Sequence, residues 1–319
     1  MNPTDRRDFL KTTMGVGAAA LAAAKALRAQ AAALFPGFDR RAIATSGATI
    51  NVLRGGSGPP LLLLHGFPET HVMWHKIAAP LASQYTVIIP DLRGYGDSSK
   101  PPDGENHVNY SKRALALDQV ETMRALGFDR FAVVGHDRGA RVTWRLVAEH
   151  PAHVTRAAIL DIVPLQYADL TQQRATSYFQ LFFLVQPAPF PEQLIAGNPE
   201  AFLRRFVRVA TPEAFAEYLR CLRDPATVHG ICEEFRAAAG IDLQHFAEDR
   251  GRKIACPVLL LWGASGPVAR LWDPMKIWSE FALDLRGQSV PGGHLLPEES
   301  PEETLAALLP FLEGSGSAI

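Results

Sequence analysis

Residues 135–139 read Gly-His-Asp-Arg-Gly and place Asp137 between two glycines, where a strand pattern meets a helix pattern. This is the form glycine-x-nucleophile-x-glycine, a tight turn that lifts the central side chain above a sheet. A serine at the centre would indicate acyl transfer. A carboxylate instead attacks a saturated carbon, displaces a leaving group and becomes an ester that water must cleave. Because aspartate is also a common helix cap, the nucleophile interpretation depends on its partners.

A histidine that could activate this water stands late in the chain. His294 ends the run Pro-Gly-Gly-His at residues 291–294, after the last strand pattern and before the terminal helix pattern. Enzymes with this kind of elbow carry their nucleophile, acid and histidine in that chain order. The ordinary pKa of histidine suits proton abstraction near neutral pH. We therefore predict that His294 is the general base.

The acid that orients the histidine has two candidates. In many enzymes of this kind it follows the strand that ends near Trp-Gly, here residues 262–263, but no carboxylate stands there until Asp273. The preceding strand pattern ends at Leu-Asp-Ile, which puts Asp161 at a carboxyl end of the predicted sheet. We predict that Asp161 is the partner of the histidine, with Asp273 as the alternative.

Backbone donors and two arginines complete the predicted site. A leucine run ends in His-Gly-Phe-Pro at residues 65–68, a turn that places backbone N–H groups beside the elbow. We expect the N–H groups of Phe67 and Arg138 to form the oxyanion hole. Arg138 and Arg141 follow the nucleophile by one and four positions, so both guanidinium groups can face one cavity and bind a substrate carboxylate. For Arg141 the alternative is a solvated helix face.

Strand and helix patterns alternate along most of the chain, which predicts an α/β fold with a mostly parallel sheet flanked by helices. The alternation stops after Pro164, and residues 165–252 are rich in helical patterns without an apolar strand run. We interpret this segment as a helical lid inserted into a core of residues 32–164 and 253–319. The strand patterns cover residues 49–54, 61–64, 85–90, 131–135, 157–162 and 257–262. The helix patterns cover residues 74–83, 111–126, 140–149 and 302–312.

The bulk composition excludes several classes of function. Of the 319 residues, 47% are hydrophobic and 20% are charged, which predicts a folded chain with a full core. The net charge of −1 gives no general attraction to nucleic acid or to an anionic membrane. The three cysteines lack the spacing of a disulfide framework or a zinc site. We expect no metal or organic cofactor. The sequence does not fix the oligomeric state, and a homodimer is compatible with it.

The N-terminus has the features of an export signal. Arg6 and Arg7 precede Phe-Leu-Lys, an alanine-rich stretch follows at residues 14–24, and residues 29–31 read Ala-Gln-Ala, a small-x-small cleavage pattern. This arrangement resembles a twin-arginine signal, which carries folded proteins across the bacterial inner membrane. The apolar stretch is too short for a membrane span. We therefore predict that residues 1–31 are a signal peptide and that the mature protein is periplasmic.

Four segments together resemble the haloacetate (fluoroacetate) dehalogenases, which have the α/β-hydrolase fold. They are His-Gly-Phe-Pro-Glu-Thr at residues 65–70, Gly-His-Asp-Arg-Gly-Ala-Arg at 135–141, Leu-Asp-Ile-Val-Pro at 160–164 and Gly-His-Leu-Leu-Pro-Glu-Glu at 293–299. The resemblance implies the roles already assigned to the nucleophile, its base, the acid and the two arginines. It also implies a small halo carboxylic acid as the substrate.

The lid departs from this family. The resemblance implies that fluoride is held by a His-Trp pair shortly before Gln-Pro-Ala-Pro and by a tyrosine later in the lid. Those positions hold Gln180, Leu181 and Phe235 here. Fluoride is a poor leaving group that needs strong hydrogen-bond donors. A pocket with Gln180 as its only donor among these positions suits chloride, bromide or iodide better.

Two other functions compete with dehalogenation. Epoxide hydrolases share the elbow aspartate, the histidine and the lid, but they need lid tyrosines to protonate an alkoxide. The nearest positions are Phe179 and Phe235, although Tyr178 could replace one of them, and such enzymes usually have tryptophan where Arg138 stands. A non-catalytic binding protein is the third interpretation. It would not require the set of Asp137, His294 and Asp161.

Overall fold

The computed structural model describes residues 25–164, 171–249 and 251–314. Its centre is one sheet of eight strands in the order β1-β2-β4-β3-β5-β6-β7-β8. The edge strands β1 and β8 carry mostly exposed or half-buried residues, which explains why no apolar run marks them. The strands are β1 (Asp39–Ala44), β2 (Thr49–Gly55), β3 (Pro60–Leu64), β4 (Thr86–Pro90), β5 (Phe131–His136), β6 (Val154–Leu160), β7 (Val258–Gly263) and β8 (Leu285–Val290).

The sheet is parallel from β4 to β8, and β2 pairs antiparallel with both of its neighbours, β1 and β4. The central strands consist of buried aliphatic residues because helices cover both faces of the sheet. The pairing register sets Leu64 opposite Gly135 and His136 opposite Leu160. The carboxyl ends of β3, β5 and β6 therefore lie side by side. The segments that follow these three strands contain the predicted turn, nucleophile and acid.

Four core helices agree with the predicted ones to within two residues, and three short core helices after the lid were not predicted. Each begins near a capping or turn residue, as helix 112–125 does after Ser111, whose hydroxyl accepts a hydrogen bond from the N–H of Ala114. Short 3₁₀ segments cover His71–Trp74, Glu105–Tyr110 and Pro151–His153. The core helices are α1 (His75–Ala82), α2 (Lys112–Ala125) and α3 (Arg138–Glu149), and after the lid α11 (Pro267–Leu271), α12 (Pro274–Trp278), α13 (Leu296–Glu299) and α14 (Pro301–Glu313).

Between β6 and β7 the described residues form helices and no strand. This agrees with the helical content that the sequence predicts for the inserted segment. The division into core and lid remains our interpretation. The helices of this segment are α4 (Gln172–Ser177), α5 (Gln180–Phe183), α6 (Phe190–Gly197), α7 (Pro199–Arg204), α8 (Pro212–Leu222), α9 (Pro225–Ala239) and α10 (Ile241–Glu248).

Most of the predicted signal peptide lies outside the described residues. Residues 25–33 are helical, Ala31 is buried, and Arg28 forms an ion pair of 2.7 Å with Asp97. Within the described part of the chain, no helix combines the length and apolar character that crossing a membrane requires.

Candidate active site

The turn between β5 and α3 holds Asp137 in a strained conformation. Its backbone has φ 47° and ψ −111°, a region that a residue with a side chain occupies at a cost of about 1–3 kcal/mol. The flanking glycines serve close packing rather than positive φ. A Cβ on Gly135 would collide with the hydroxyl of Thr143, and a Cβ on Gly139 would collide with the carbonyl of Leu64. Asp137 itself therefore adopts the strained conformation of the turn, and the two glycines allow the close packing around it.

The two carboxylate oxygens of Asp137 have different surroundings. Oδ1 accepts a hydrogen bond of 3.1 Å from the backbone N–H of Phe67. Oδ2 lies 3.6 Å from Nε2 of His294. The N–H of Arg138, the first residue of α3, has no acceptor within that helix. Gly66 makes this approach possible, because a Cβ there would lie 2.6 Å from the Cβ of Asp137.

Asp161, not Asp273, is the acid that contacts the histidine. Its Oδ2 lies 2.6 Å from Nδ1 of His294, and its Oδ1 accepts a 3.0 Å hydrogen bond from the N–H of Gly263. Asp161 is fully buried and also has a positive φ of 48°. Asp273 is exposed and caps α12 by accepting a hydrogen bond from the N–H of Lys276. The structure thus brings the three predicted residues together in one row.

Charge coupling within the row fixes the protonation states. Burial alone would raise the pKa of Asp137, but its interactions with His294 outweigh burial and hold that pKa well below its ordinary value. Burial alone would lower the pKa of His294, but the two neighbouring carboxylates outweigh burial and raise it well above its ordinary value. In the free protein these shifts favour an anionic Asp137 beside a cationic His294.

The loop that carries His294 is held from both sides. Glu299 accepts hydrogen bonds from the N–H of Gly293 at 2.7 Å and of Leu295 at 2.9 Å. Nε2 of His136 lies 2.8 Å from the carbonyl oxygen of His294. These contacts fix the backbone on each side of the histidine. The ring itself is oriented mainly by its contact with Asp161.

Arg138 lines the site, but its guanidinium is already engaged. Its Nε and Nη2 donate to the carboxylate of Glu234 at 2.5–2.9 Å. It also stacks on the ring of Phe235, with its Cζ 4.1 Å from the ring centroid. Glu234 is fully buried and forms a second ion pair with Lys112. The sequence interpretation of Arg138 as a free carboxylate ligand is therefore incomplete, because most of its donors serve Glu234.

Arg141, unlike Arg138, has guanidinium N–H donors that remain available to a ligand. Its Nε and Nη1 are buried and have no hydrogen-bond partner among the residues that the structure describes. Burial, and next the charge of Arg138, lower the pKa of Arg141 to about 9, so it remains a cation at neutral pH. A buried cation without an anion is costly. The solvated-face alternative for Arg141 is wrong, and the site has a place for an anionic ligand.

A cavity of about 300 Å³ joins these groups to the lid. The predicted halide positions Gln180, Leu181 and Phe235 all line it. Tyr178 lines it too, and its hydroxyl is buried with no hydrogen-bond partner among the described residues. Gln180 likewise has a buried, unpartnered Oε1. Tyr178 thus adds a hydrogen-bond donor that the dehalogenase interpretation of the sequence did not include.

Three contributing residues were missed at first, and each had a signal. Glu234 directly precedes the pocket position Phe235, so an acid facing the elbow arginine could have been expected. Glu299 is the last residue of α13 and ends the motif at residues 293–299 that also contains His294. Tyr178 was considered only for the epoxide reaction, although any leaving group benefits from a donor.

One group of side chains away from this cavity could in principle hold a metal ion. Donor atoms of Asp103, His107 and Glu233 lie within 4.8 Å of one another. Glu233 is already bound, however, because its Oε2 lies 2.5 Å from His107 and its Oε1 accepts from Arg236 at 2.6 Å. The arginine charge opposes a bound cation. None of these residues lines the cavity.

Comparisons with known proteins agree with this architecture. Residues 59–301 match the model of the alpha/beta hydrolase fold family. Residues 3–23 match the model of the twin-arginine translocation pathway signal sequence, which implies export across the membrane. The match covers the paired arginines on which the sequence interpretation was based.

Individual relatives carry two kinds of name. A fluoroacetate dehalogenase from Burkholderia sp. is 43% identical over 90% of this chain and 97% of its own length. A soluble epoxide hydrolase from Corynebacterium sp. (strain C12) is 32% identical over 83% of this chain and 94% of its own length. A crystal structure assigned to the alpha/beta hydrolases, from Nostoc sp. PCC 7120, is 51% identical with a TM-score of 0.84, and the match covers 86% of this chain and 98% of that one.

Proposed function

Since the chain belongs to the alpha/beta-hydrolase family, and since an aspartate occupies its elbow, we propose that it hydrolyses the carbon–halogen bond of a small 2-halo carboxylic acid. The relative that is a fluoroacetate dehalogenase supports the reaction class. The twin-arginine signal places this activity outside the cytoplasm, and we assign the mature protein to the periplasm.

Asp137 and Arg141 line the same cavity, and Nε and Nη1 of Arg141 have no hydrogen-bond partner among the described residues. This arrangement is the main support for a carboxylate-bearing substrate. A nucleophilic carboxylate repels an anionic substrate, so an anion enters only if a cation compensates. Arg141 supplies this charge, and a carboxylate bound to it relieves the cost of the buried cation. A neutral haloalkane would leave that cost in place.

In the first half-reaction, Oδ2 of Asp137 attacks the carbon that bears the halogen. A C–O bond forms, the C–X bond breaks, and the halide leaves with the bonding electron pair. Oδ1 stays on the N–H of Phe67 and becomes the carbonyl oxygen of the new ester. The hydroxyl of Tyr178 and the amide of Gln180 are the lid donors that could bind the departing halide.

In the second half-reaction, water attacks the carbonyl carbon of this ester and gives a proton to Nε2 of His294. The oxyanion on Oδ1 is stabilised by the N–H groups of Phe67 and Arg138. The acyl C–O bond then breaks, the alkoxide takes the proton back from His294, and a 2-hydroxy acid leaves. Asp137 is regenerated as a carboxylic acid and loses the second proton of the water, so the net products are the hydroxy acid, halide and one proton.

Halide release tests this proposal directly. We expect the purified protein to release halide from bromoacetate and chloroacetate, and to do so faster than from fluoroacetate. Leu181 and Phe235 cannot donate to fluoride, and the hydroxyl of Tyr178 can replace only one of these two donors. The loss of one donor, worth about 1.5–3 kcal/mol when a charge is involved, lowers kcat/KM for fluoroacetate by roughly 10- to 100-fold. Steady-state kinetics on the three haloacetates under one set of conditions measure this order.

The outcomes separate the reaction from the halide preference. Absence of halide release from every haloacid would contradict the proposed function. Equal kcat/KM for fluoroacetate and bromoacetate would leave the reaction standing and show that the halide site is assigned to the wrong lid residues.

Replacing Arg141 tests the carboxylate recognition. We expect Arg141→Gln to lower kcat/KM for bromoacetate by about 10- to 100-fold, chiefly through KM, because one or more charge-assisted bonds are lost. Arg141→Lys keeps the charge and should lose less. Bromoacetamide, which has no carboxylate, should be a poor substrate for all three proteins. A normal KM for bromoacetate in Arg141→Gln would exclude this residue as the ligand.

Epoxide hydrolysis is the second candidate, and Tyr178 favours it. Its buried, unpartnered hydroxyl could protonate the alkoxide that forms when Asp137 opens an epoxide. An epoxide has no carboxylate, so it would leave Arg141 without an anion. A panel of small epoxides measured beside the haloacids decides between the two reactions, since Tyr178→Phe would abolish epoxide opening but only slow bromide release.

A further inference from the structure

Arginine is the prevailing charged residue in the lining of the cavity. Its lining contains five arginines and, among the residues that the structure describes, one carboxylate, that of Asp137. The whole chain has 32 basic and 33 acidic residues, so this excess does not reflect a basic protein. A cleft lined by charges of one sign concentrates its field and selects ligands of the opposite sign. The arginines are Arg138, Arg141, Arg174, Arg205 and Arg270.

The requirements of a haloacetate account for only part of this excess. Its single carboxylate is satisfied by Arg141, and Arg138 is neutralised by Glu234. Haloacetate has only two carbon atoms, whereas a cavity of about 300 Å³ lies in the range that accommodates larger ligands. The remaining space, together with the exposed Arg205 and Arg270, therefore favours a longer substrate.

Arg205 and Arg270 approach the cavity from different parts of the chain. Arg205 directly follows α7 and stacks near the rings of Phe179 and Phe206, with its Cζ 5.7 and 5.9 Å from their centroids. Arg270 belongs to α11, after β7, and donates to the carbonyl oxygen of Ser265. Neither forms an ion pair within 4 Å with a carboxylate in the described part of the chain. Both are exposed, so an incoming ligand can reach their remaining donors.

A second observation marks the wall of the same cavity as a ligand site. Tyr178 is only 7% exposed, and its hydroxyl has no partner among the described residues. Buried polar groups are nearly always hydrogen-bonded in folded proteins. A bound molecule with an acceptor atom, such as a carboxylate, would supply the missing partner of this hydroxyl.

We propose that the preferred substrate is a 2-halo dicarboxylic acid, whose reacting end binds at Arg141 and whose second carboxylate binds Arg205 and Arg270. This substrate class rests on the proposed dehalogenation. Its first carboxylate is held beside Asp137, and its chain occupies the space that haloacetate leaves empty. The product is a 2-hydroxy dicarboxylic acid.

Paired substrates test the proposal. We expect kcat/KM for one member of the series from 2-bromosuccinate to 2-bromoadipate to exceed that for the monoacid with the same number of carbons by at least about tenfold, as one charge-assisted bond allows. In Arg205→Gln and in Arg270→Gln this ratio should fall toward one. Arg208→Gln, an exposed arginine outside the cavity, should leave the ratio unchanged.

Two further measurements keep this claim separate from the reaction. General attraction also favours the dianion, but salt screens it, so a diacid preference that persists at high salt and is lost in the arginine variants reflects a bound carboxylate. A ratio near one in the wild type, or equal losses on both acids in the arginine variants, overturns the proposal. Calorimetric binding of the non-halogenated diacid and monoacid to Asp137→Asn needs no turnover. Arginine-dependent preference for the diacid there supports the site even if no haloacid releases halide.

Discussion

Asp137→Asn is expected to lower turnover of bromoacetate by on the order of 10⁴-fold or more, the size of loss that follows removal of a nucleophile that acts with its base as one unit. An amide has nearly the same shape as the carboxylate but cannot form the alkyl ester. Its oxygen can still accept the hydrogen bond from Phe67, and asparagine tolerates positive φ better than most residues. The fold should therefore persist, with circular dichroism unchanged and a similar Tm.

A matched variant separates chemistry from the loss of a charge. Asp273→Asn makes the same change at the other acid considered from the sequence. Asp273 is exposed and caps α12, and asparagine caps a helix as well as aspartate does. We expect nearly normal kcat/KM from it. Normal activity in a freshly prepared, sequence-verified Asp137→Asn sample would contradict the nucleophilic mechanism.

The sequence could predict the positions of the candidate catalytic groups because the sheet dictates them. Parallel strands end at one edge, so the residues after β3, β5 and β6 must lie together once the strands are recognised. Apolar runs identify such strands reliably when both faces are buried. That logic favoured Asp161 over Asp273, and it needed no knowledge of side-chain geometry.

Side-chain partners across the lid could not be predicted in the same way. The ion pair between Arg138 and Glu234 joins residues that are 96 positions apart and belong to α3 and α9. Its existence depends on how a helical insertion packs on the core, and helical periodicity does not fix that packing. For the same reason, the sequence could not predict that Tyr178 lines the cavity. The sequence likewise does not show that Glu234 pairs with Arg138 and leaves donors of Arg141 without a partner among the described residues.

The protonation of His294 links the two halves of the proposed reaction. In the free protein two carboxylates raise its pKa well above the ordinary value, so it begins as a cation. Alkylation converts Asp137 into a neutral ester and removes one of these carboxylates. The pKa of His294 must then fall, and the residue becomes a base when water needs one. Ester cleavage should therefore slow as pH falls through this lower pKa, while alkylation by the strongly acidic Asp137 continues.

His294→Gln should stop the reaction at the ester. Glutamine cannot accept the proton of water, and a general base contributes about 10²–10⁴-fold, so steady-state turnover should fall by that factor. Alkylation does not need the base. Incubation with bromoacetate should release roughly one bromide per protein molecule in a burst. Intact mass should increase by one carboxymethyl group, located by peptide mapping on the segment that contains Asp137.

His229→Gln is the matched control for this trap, because His229 is a 46% exposed histidine outside the cavity. We expect it to turn over normally and to accumulate no adduct. The double variant with Asp137→Asn and His294→Gln should gain no mass either, which would place the adduct on the nucleophile. If His294→Gln turned over bromoacetate at the normal rate, another group would have to be the base. If it neither turned over nor gained mass, His294 would be needed for the first bond to form, and the division of the reaction between Asp137 and His294 would be wrong.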